Sequence, residues 1–209
     1  LRLHSGHLDF IGRSHIWIDD YDQADSVRFA QFALANALAH TAPGQLEVLV
    51  FDDALRGIAA PFQEVNSGGE KILRHINDVQ ELNETIKYLH EHVRSVLNVI
   101  QGRTESLLDF RQQLSPKVEG FKLVVLSTIY DLLSDEIKDK LTVLLKAGPA
   151  AGVTFLIHSM KLNVNEEILN LTQLCDIDER TVYDDDGAVR GQFDPQSADD
   201  LISVSRHVA

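Results

Sequence analysis

The residues able to do chemistry in this chain sit where apolar runs stop. Leu123–Leu126 is followed at once by Ser127 and Thr128. A magnesium-dependent hydrolase of phosphoanhydrides puts carboxylates at such a strand end, one for the metal and one to orient water. Two uncharged hydroxyls do neither task. Ser26 opens an apolar helical stretch and follows the acidic run Asp19, Asp20, Asp22 and Asp25. A hydroxyl there can ligate magnesium when glycines let the backbone wrap the phosphates and a lysine meets them. The stretch DDYDQADS, residues 19–26, contains neither glycine nor lysine. Asp52-Asp53 closes the run LEVLVF and suits a metal, a ribose or, most commonly, a solvated strand end. Asp135-Glu136 fits the first turn of a helix, where the dipole favours acids. His75, His90 and His92 invite a zinc reading, but His90 and His92 are two apart and leave a helix on different sides. No Ser/His/Asp arrangement can be assembled from spacing alone.

The whole chain sets bounds on that chemistry. Its 209 residues are 44% hydrophobic, enough for one sizeable core. A formal charge of −13 favours solubility and opposes unaided binding to a phosphate backbone. Cys175 is the only cysteine, which excludes an intramolecular disulfide and cysteine metal clusters and fits a reducing, cytoplasmic setting. The longest apolar runs fall far short of the roughly 20 residues that span a bilayer, so no membrane insertion is expected. No repeat or linker divides the chain, so residues 1–209 read as a single domain. It opens on Leu1, and we expect a fragment of something longer.

The elements that must position these residues alternate in type. His15–Ile18 (HIWI) is a short strand, with Trp17 expected in the core. A helix follows, with Asp25 or Ser26 as N-cap and Pro43-Gly44 at its end. Leu46–Phe51 and Val153–Ile157 are nearly all apolar and Leu123–Leu126 wholly so, as parallel strands covered on both faces tend to be. Asn66-Ser67-Gly68-Gly69 marks a loop. Helices are expected over 78–100, 105–114 and 135–147, and another strand over Leu174–Ile177. Asp184–Gly187 reads as the turn of a hairpin joining Thr181–Tyr183 to Val189–Phe193, with Asp194-Pro195 starting a last helix through Ser205. Strands alternating with helices argue for an α/β fold with a mainly parallel sheet.

Several patterns then agree in order with a known family. Glu91-His92-Val93-Arg94, within the helix Leu82–Leu97, stands where an "EM-x-R-R" core would lie. Asp109-Phe110-Arg111 is similar to a "YN" element, and Lys122–Leu133 to a Walker B strand with its following "x-D-L-M". Gly148-Pro149-Ala150-Ala151-Gly152-Val153 resembles "GRAAGIHLIL", and residues 186–193 resemble a closing "DG…R-x-x-G-x-F" hairpin. Over roughly residues 15 to 206 the chain resembles the FtsK/SpoIIIE-type motor ATPases of the HerA/FtsK superfamily. That resemblance implies a RecA-like P-loop fold with a C-terminal β-hairpin.

It also places Ser26 at a degenerate Walker A hydroxyl and Ser127 and Thr128 at a degenerate Walker B pair. Pro149 replaces the arginine of "GRAAG", and Ser159-Met160-Lys161 replaces "TQR". The expectation is a pseudo-ATPase that needs no cofactor and serves as a structural or regulatory module of a larger DNA translocase or secretion motor. Its partners would be other motor domains in a ring or tandem, with DNA or secreted protein as cargo through the parent. Asp19, Asp20, Asp22 and Asp25 would form a docking face, or simply keep a loop solvated. Two alternatives stand beside it: an active ATP-dependent translocase that binds ATP and magnesium in a non-standard way, and a protein-binding adaptor that kept the fold.

Overall fold

The computed structural model describes residues 1–19, 24–42, 44–66, 71–114 and 119–208. Its core is one sheet of eight strands. In chain order these are β3 (His15–Ile18), β4 (Leu46–Asp52), β5 (Leu73–Ile76), β6 (Phe121–Ser127), β7 (Val153–His158), β8 (Thr172–Asp178), β9 (Thr181–Tyr183) and β10 (Val189–Gln192). A two-stranded ribbon, β1 (Arg2–Leu3) and β2 (Gly6–His7), precedes them. The spatial order is β10-β9-β8-β3-β7-β6-β4-β5. Pairing from β8 to β5 is parallel, and β9 and β10 extend the sheet antiparallel. The continuously apolar runs are the strands buried on both faces: Leu123–Leu126 and Phe155–Ile157 are at most 1% exposed.

The helices are α1 (Ala24–His40), α2 (Val79–Ile100), α3 (Leu107–Gln113), α4 (Asp135–Ala147), α5 (Glu166–Leu169) and α6 (Ala198–Val208). The chain runs from β3 through α1 to β4 in one direction across the sheet and returns through α2, α3 and α4 to β7. Right-handed crossovers therefore put α1 on one face and α2, α3 and α4 on the other. α6 packs beside α1, and α2 beside α3 and α4. Phe193, just past β10, seals the hairpin onto α1, its ring 5.1 Å from Phe29 and 5.5 Å from Phe32.

Caps explain where most helices start. Asp78 accepts from the Glu81 amide, Ser106 from Asp109 and Ser134 from Ile137. Some expectations need correction. α1 begins at Ala24, so Asp25 lies in its first turn and Ser26 on its buried face; neither is the N-cap. α6 begins at Ala198, not at Pro195: Ser197 and Asp200 bond reciprocally at its start, while Asp194 pairs with His4 at 2.8 Å. β1, β2 and β5 are additional strands. Pro43 and residues 67–69 of the expected loop lie outside the described residues.

Glycines fix the approach to the centre. Gly152 has φ +78°, and a Cβ there would lie 2.6 Å from Leu107 Cδ2. A Cβ on Gly148 would lie 2.4 Å from the Leu144 carbonyl oxygen. The GPAAG segment is thus shaped by the tight passage from α4 into β7.

Candidate functional site

In parallel α/β sheets, ligands are met at the carboxyl ends of the strands. At that rim β7 lies between β3 and β6, and its last residue, His158, stands level with Ile18 on one side and Ser127 on the other. The imidazole joins two serines. Nδ1 is 2.8 Å from Ser127 Oγ and Nε2 is 3.0 Å from Ser26 Oγ on α1. All three residues have zero exposure. A hydroxyl can donate or accept, so both bonds form with either imidazole tautomer.

The adjoining positions are engaged as well. Thr128 Oγ1 donates to Asp53 at 2.6 Å, and the Asp53 amide reaches the Ser127 carbonyl at 3.4 Å. Asp52 accepts from the amides of Arg56 and Gly57, both at 2.8 Å, and so turns the chain after β4. Ser159 Oγ accepts from the Tyr130 amide, and its carbonyl accepts from Trp17 Nε1, both at 2.9 Å. Asp19 accepts from the Lys161 amide at 2.7 Å, and the Lys161 ammonium lies 3.4 Å from Asp19 and 2.5 Å from Asp185. Asp25 pairs with Arg28 at 3.0 Å. The other two acids of the docking reading, Asp20 and Asp22, lie outside the described residues.

Among the described residues, the hydroxyls at these positions are engaged with protein partners. Magnesium requires oxygen ligands in octahedral array. Ser26, at the Walker A hydroxyl of the resemblance, and Ser127, at its Walker B position, converge on an imidazole between them, and Thr128 bonds to Asp53. A Ser–His pair is also the core of a nucleophilic centre. Here both serines and the histidine are fully buried.

His158 is the residue that sequence reasoning missed. The available signal was a titratable residue ending a wholly buried strand, VTFLIH. His75, His90 and His92 are not gathered: His90 bonds the Lys140 carbonyl at 3.1 Å while His92 is buried. Among the described residues no cluster of His, Cys, Asp and Glu is placed to hold a metal. A cleft of about 790 Å³ lies elsewhere, between the β1–β2 ribbon and the far end of α1, lined by Leu3, Phe10, Arg13, Asn36 and His40. Ser26 and Asn36 are ten residues apart, about 15 Å along the helix, so this cleft is separate from the rim. Among the described residues no helix is long and apolar enough to cross a membrane.

No family model matches the chain, and no curated protein matches it by sequence. Solved structures do match. EssC (ATPases 2 and 3) of Geobacillus thermodenitrificans superposes with a TM-score of 0.72 at 14% identity, over 94% of this chain and 45% of that one. EccC (ATPases 2 and 3) of Thermomonospora curvata, solved with a signal sequence peptide, gives 0.70 at 12% identity over 93% and 42%. The cytoplasmic domain of the T. curvata type VII secretion ATPase EccC gives 0.70 at 15% over 95% and 28%. This chain therefore spans less than half the length of each of these structures. At such identities the likeness establishes architecture: the chain has the RecA-like P-loop fold of ATPase domains, with a C-terminal hairpin added to the sheet.

Proposed function

We propose that this domain is a non-hydrolysing, FtsK/SpoIIIE-type ATPase module of a larger multi-domain motor, on the cytoplasmic side of a secretion apparatus of the type VII kind. The observation that carries the reading is the buried Ser26–His158–Ser127 chain, which spans the helix-hydroxyl and strand-end positions that would hold a nucleotide-bound metal. Its likeness to EssC and EccC structures, which hold more than one ATPase domain, supports a tandem setting.

The domain works by docking to neighbouring motor domains through this rim. Leu55, Leu132 and Leu162 follow the adjacent strands β4, β6 and β7 and are 87%, 77% and 70% exposed. Asn163 reaches Asp131 at 3.4 Å and holds two of these loops together. Solvated leucines on neighbouring loops are the raw material of an interface. The acids Asp19, Asp20, Asp22 and Asp25 favour a partner that offers lysine or arginine. Any cargo, DNA or protein, is then handled by the parent assembly.

Isothermal titration with MgATP, together with a phosphate-release assay, tests the reading. No binding heat and no release above blank are expected. Micromolar MgATP binding, or release abolished by Ser127→Ala, overturns it.

A further inference from the structure

Several polar bonds at the rim converge on two residues. His158 takes Ser26 of α1 and Ser127 of β6 on its ring, and its carbonyl accepts from the Thr128 amide at 3.3 Å. Ser159 donates its amide to the Ile18 carbonyl at 3.2 Å, and accepts from the Trp17 indole and the Tyr130 amide. The end of β7 is thus fastened to β3, α1, β6 and the turn after β6. In a nucleotide-binding P-loop domain the helix hydroxyl and the β-strand carboxylate meet on magnesium, so their spacing depends on ligand. Here the bridge between those positions is a side chain of the protein.

We infer that His158 is a positioning residue that ties α1 to β6 from within, holding the rim in one arrangement with or without nucleotide. The inference rests on the non-hydrolysing reading and adds a specific mechanical link to it. A ligand shifts a conformation only by binding two arrangements unequally, and an internal bridge favours the arrangement in which its bonds are made. The link has a directional consequence. Ser127 is on β6, yet its hydroxyl reaches α1 through the ring, so removing it must loosen the helix as well as the strand.

Hydrogen–deuterium exchange on the full 209-residue chain tests this with variants that each remove one oxygen. Ser127→Ala is expected to speed exchange in the first turns of α1 about tenfold, and Ser26→Ala to do the same at the end of β6. In a His158→Ala background, adding Ser127→Ala should leave α1 unchanged. If that background does not fold, the two serine variants decide. Ser127→Ala effects confined to β6 overturn the link. Protection of the wild-type rim by MgATP overturns the non-hydrolysing reading itself. A wild type indifferent to MgATP, with α1 undisturbed by Ser127→Ala, overturns only the role of His158.

Discussion

His15 carries a measurable pH dependence at the opposite end of β3. Its Nδ1 accepts from the Phe155 amide at 2.9 Å, so Nε2 carries the proton and donates to the Leu145 carbonyl at 2.8 Å. The ring is fully buried, and burial pushes its pKa down from 6.5 to about 4, outweighing the opposing bond to Leu145. A depressed histidine binds its proton more readily when unfolded. Its contribution is therefore complete above about pH 6.5 and is lost as pH falls towards 4. Each tenfold change in proton affinity is worth about 1.4 kcal/mol, so the full loss is about 3 kcal/mol. Near pH 5 the unfolded ring is almost fully protonated and the folded ring about one-tenth so, a slope of about 1.2 kcal/mol per pH unit. Urea unfolding between pH 4.5 and 7 reads that slope. His15→Gln keeps a donor and an acceptor without a titrating proton, and subtracting its curve removes the carboxylate background shared by both proteins. Identical slopes for the two, or an imidazole NMR titration centred near 6.5, would refute the assignment.

Other outcomes follow from the same geometry. Gly152→Ala combines φ +78° with a 2.6 Å approach to Leu107, and should cost about 2 kcal/mol in urea unfolding. Lys122→Met removes the ammonium 2.7 Å from Glu47 and leaves the Tyr88 hydroxyl donating to that carboxylate at 3.0 Å; a loss of about 1 kcal/mol at pH 7 is expected, shrinking as pH falls below the ordinary carboxylate range towards the lowered pKa of folded Glu47. The isolated domain should bind duplex DNA no tighter than about 10⁻⁴ M at physiological salt, and a gel shift at submicromolar protein contradicts this. Leu132→Ser with Leu162→Ser, or Asp20→Lys with Asp22→Lys, should weaken assembly with a neighbouring motor domain in analytical ultracentrifugation while the thermal midpoint stays within about 2 °C.

The sequence was most legible where one local cause sufficed. The strands at 46–51, 123–126 and 153–157 were largely apolar runs, and the start of α4 followed from the acidic first turn at Asp135-Glu136. β5 escaped because Arg74 and His75 sit between its apolar ends, and its strand character comes from pairing with β4. The start of α6 was misread because Asp194-Pro195 carries the same local signal as the Ser197–Asp200 pair three residues on. The tie at the rim escaped for a different reason. His158 meets partners 31 and 132 positions away, and no spacing rule links residues that only the sheet order brings together.

That difference bears on what the chain has kept. Its family-like glycines are required by packing: Gly148 and Gly152 have no room for a Cβ, and in Gly191, at φ +149°, a Cβ would lie 2.7 Å from the His4 carbonyl oxygen. Any chain that folds this way must retain them, whether or not it binds nucleotide. The charged groups answer to a different requirement. A carboxylate at Ser127, wholly buried, would need a cation to offset its desolvation. Without magnesium, a hydroxyl facing an imidazole satisfies the same space at lower cost. On this reasoning the fold-bearing part of the resemblance and the missing carboxylates have separate physical causes, and Ser127→Asp should destabilise the isolated domain. If Ser127→Asp left stability unchanged in the absence of magnesium, the imidazole would be tolerating that charge, and desolvation would not account for the hydroxyl at this position.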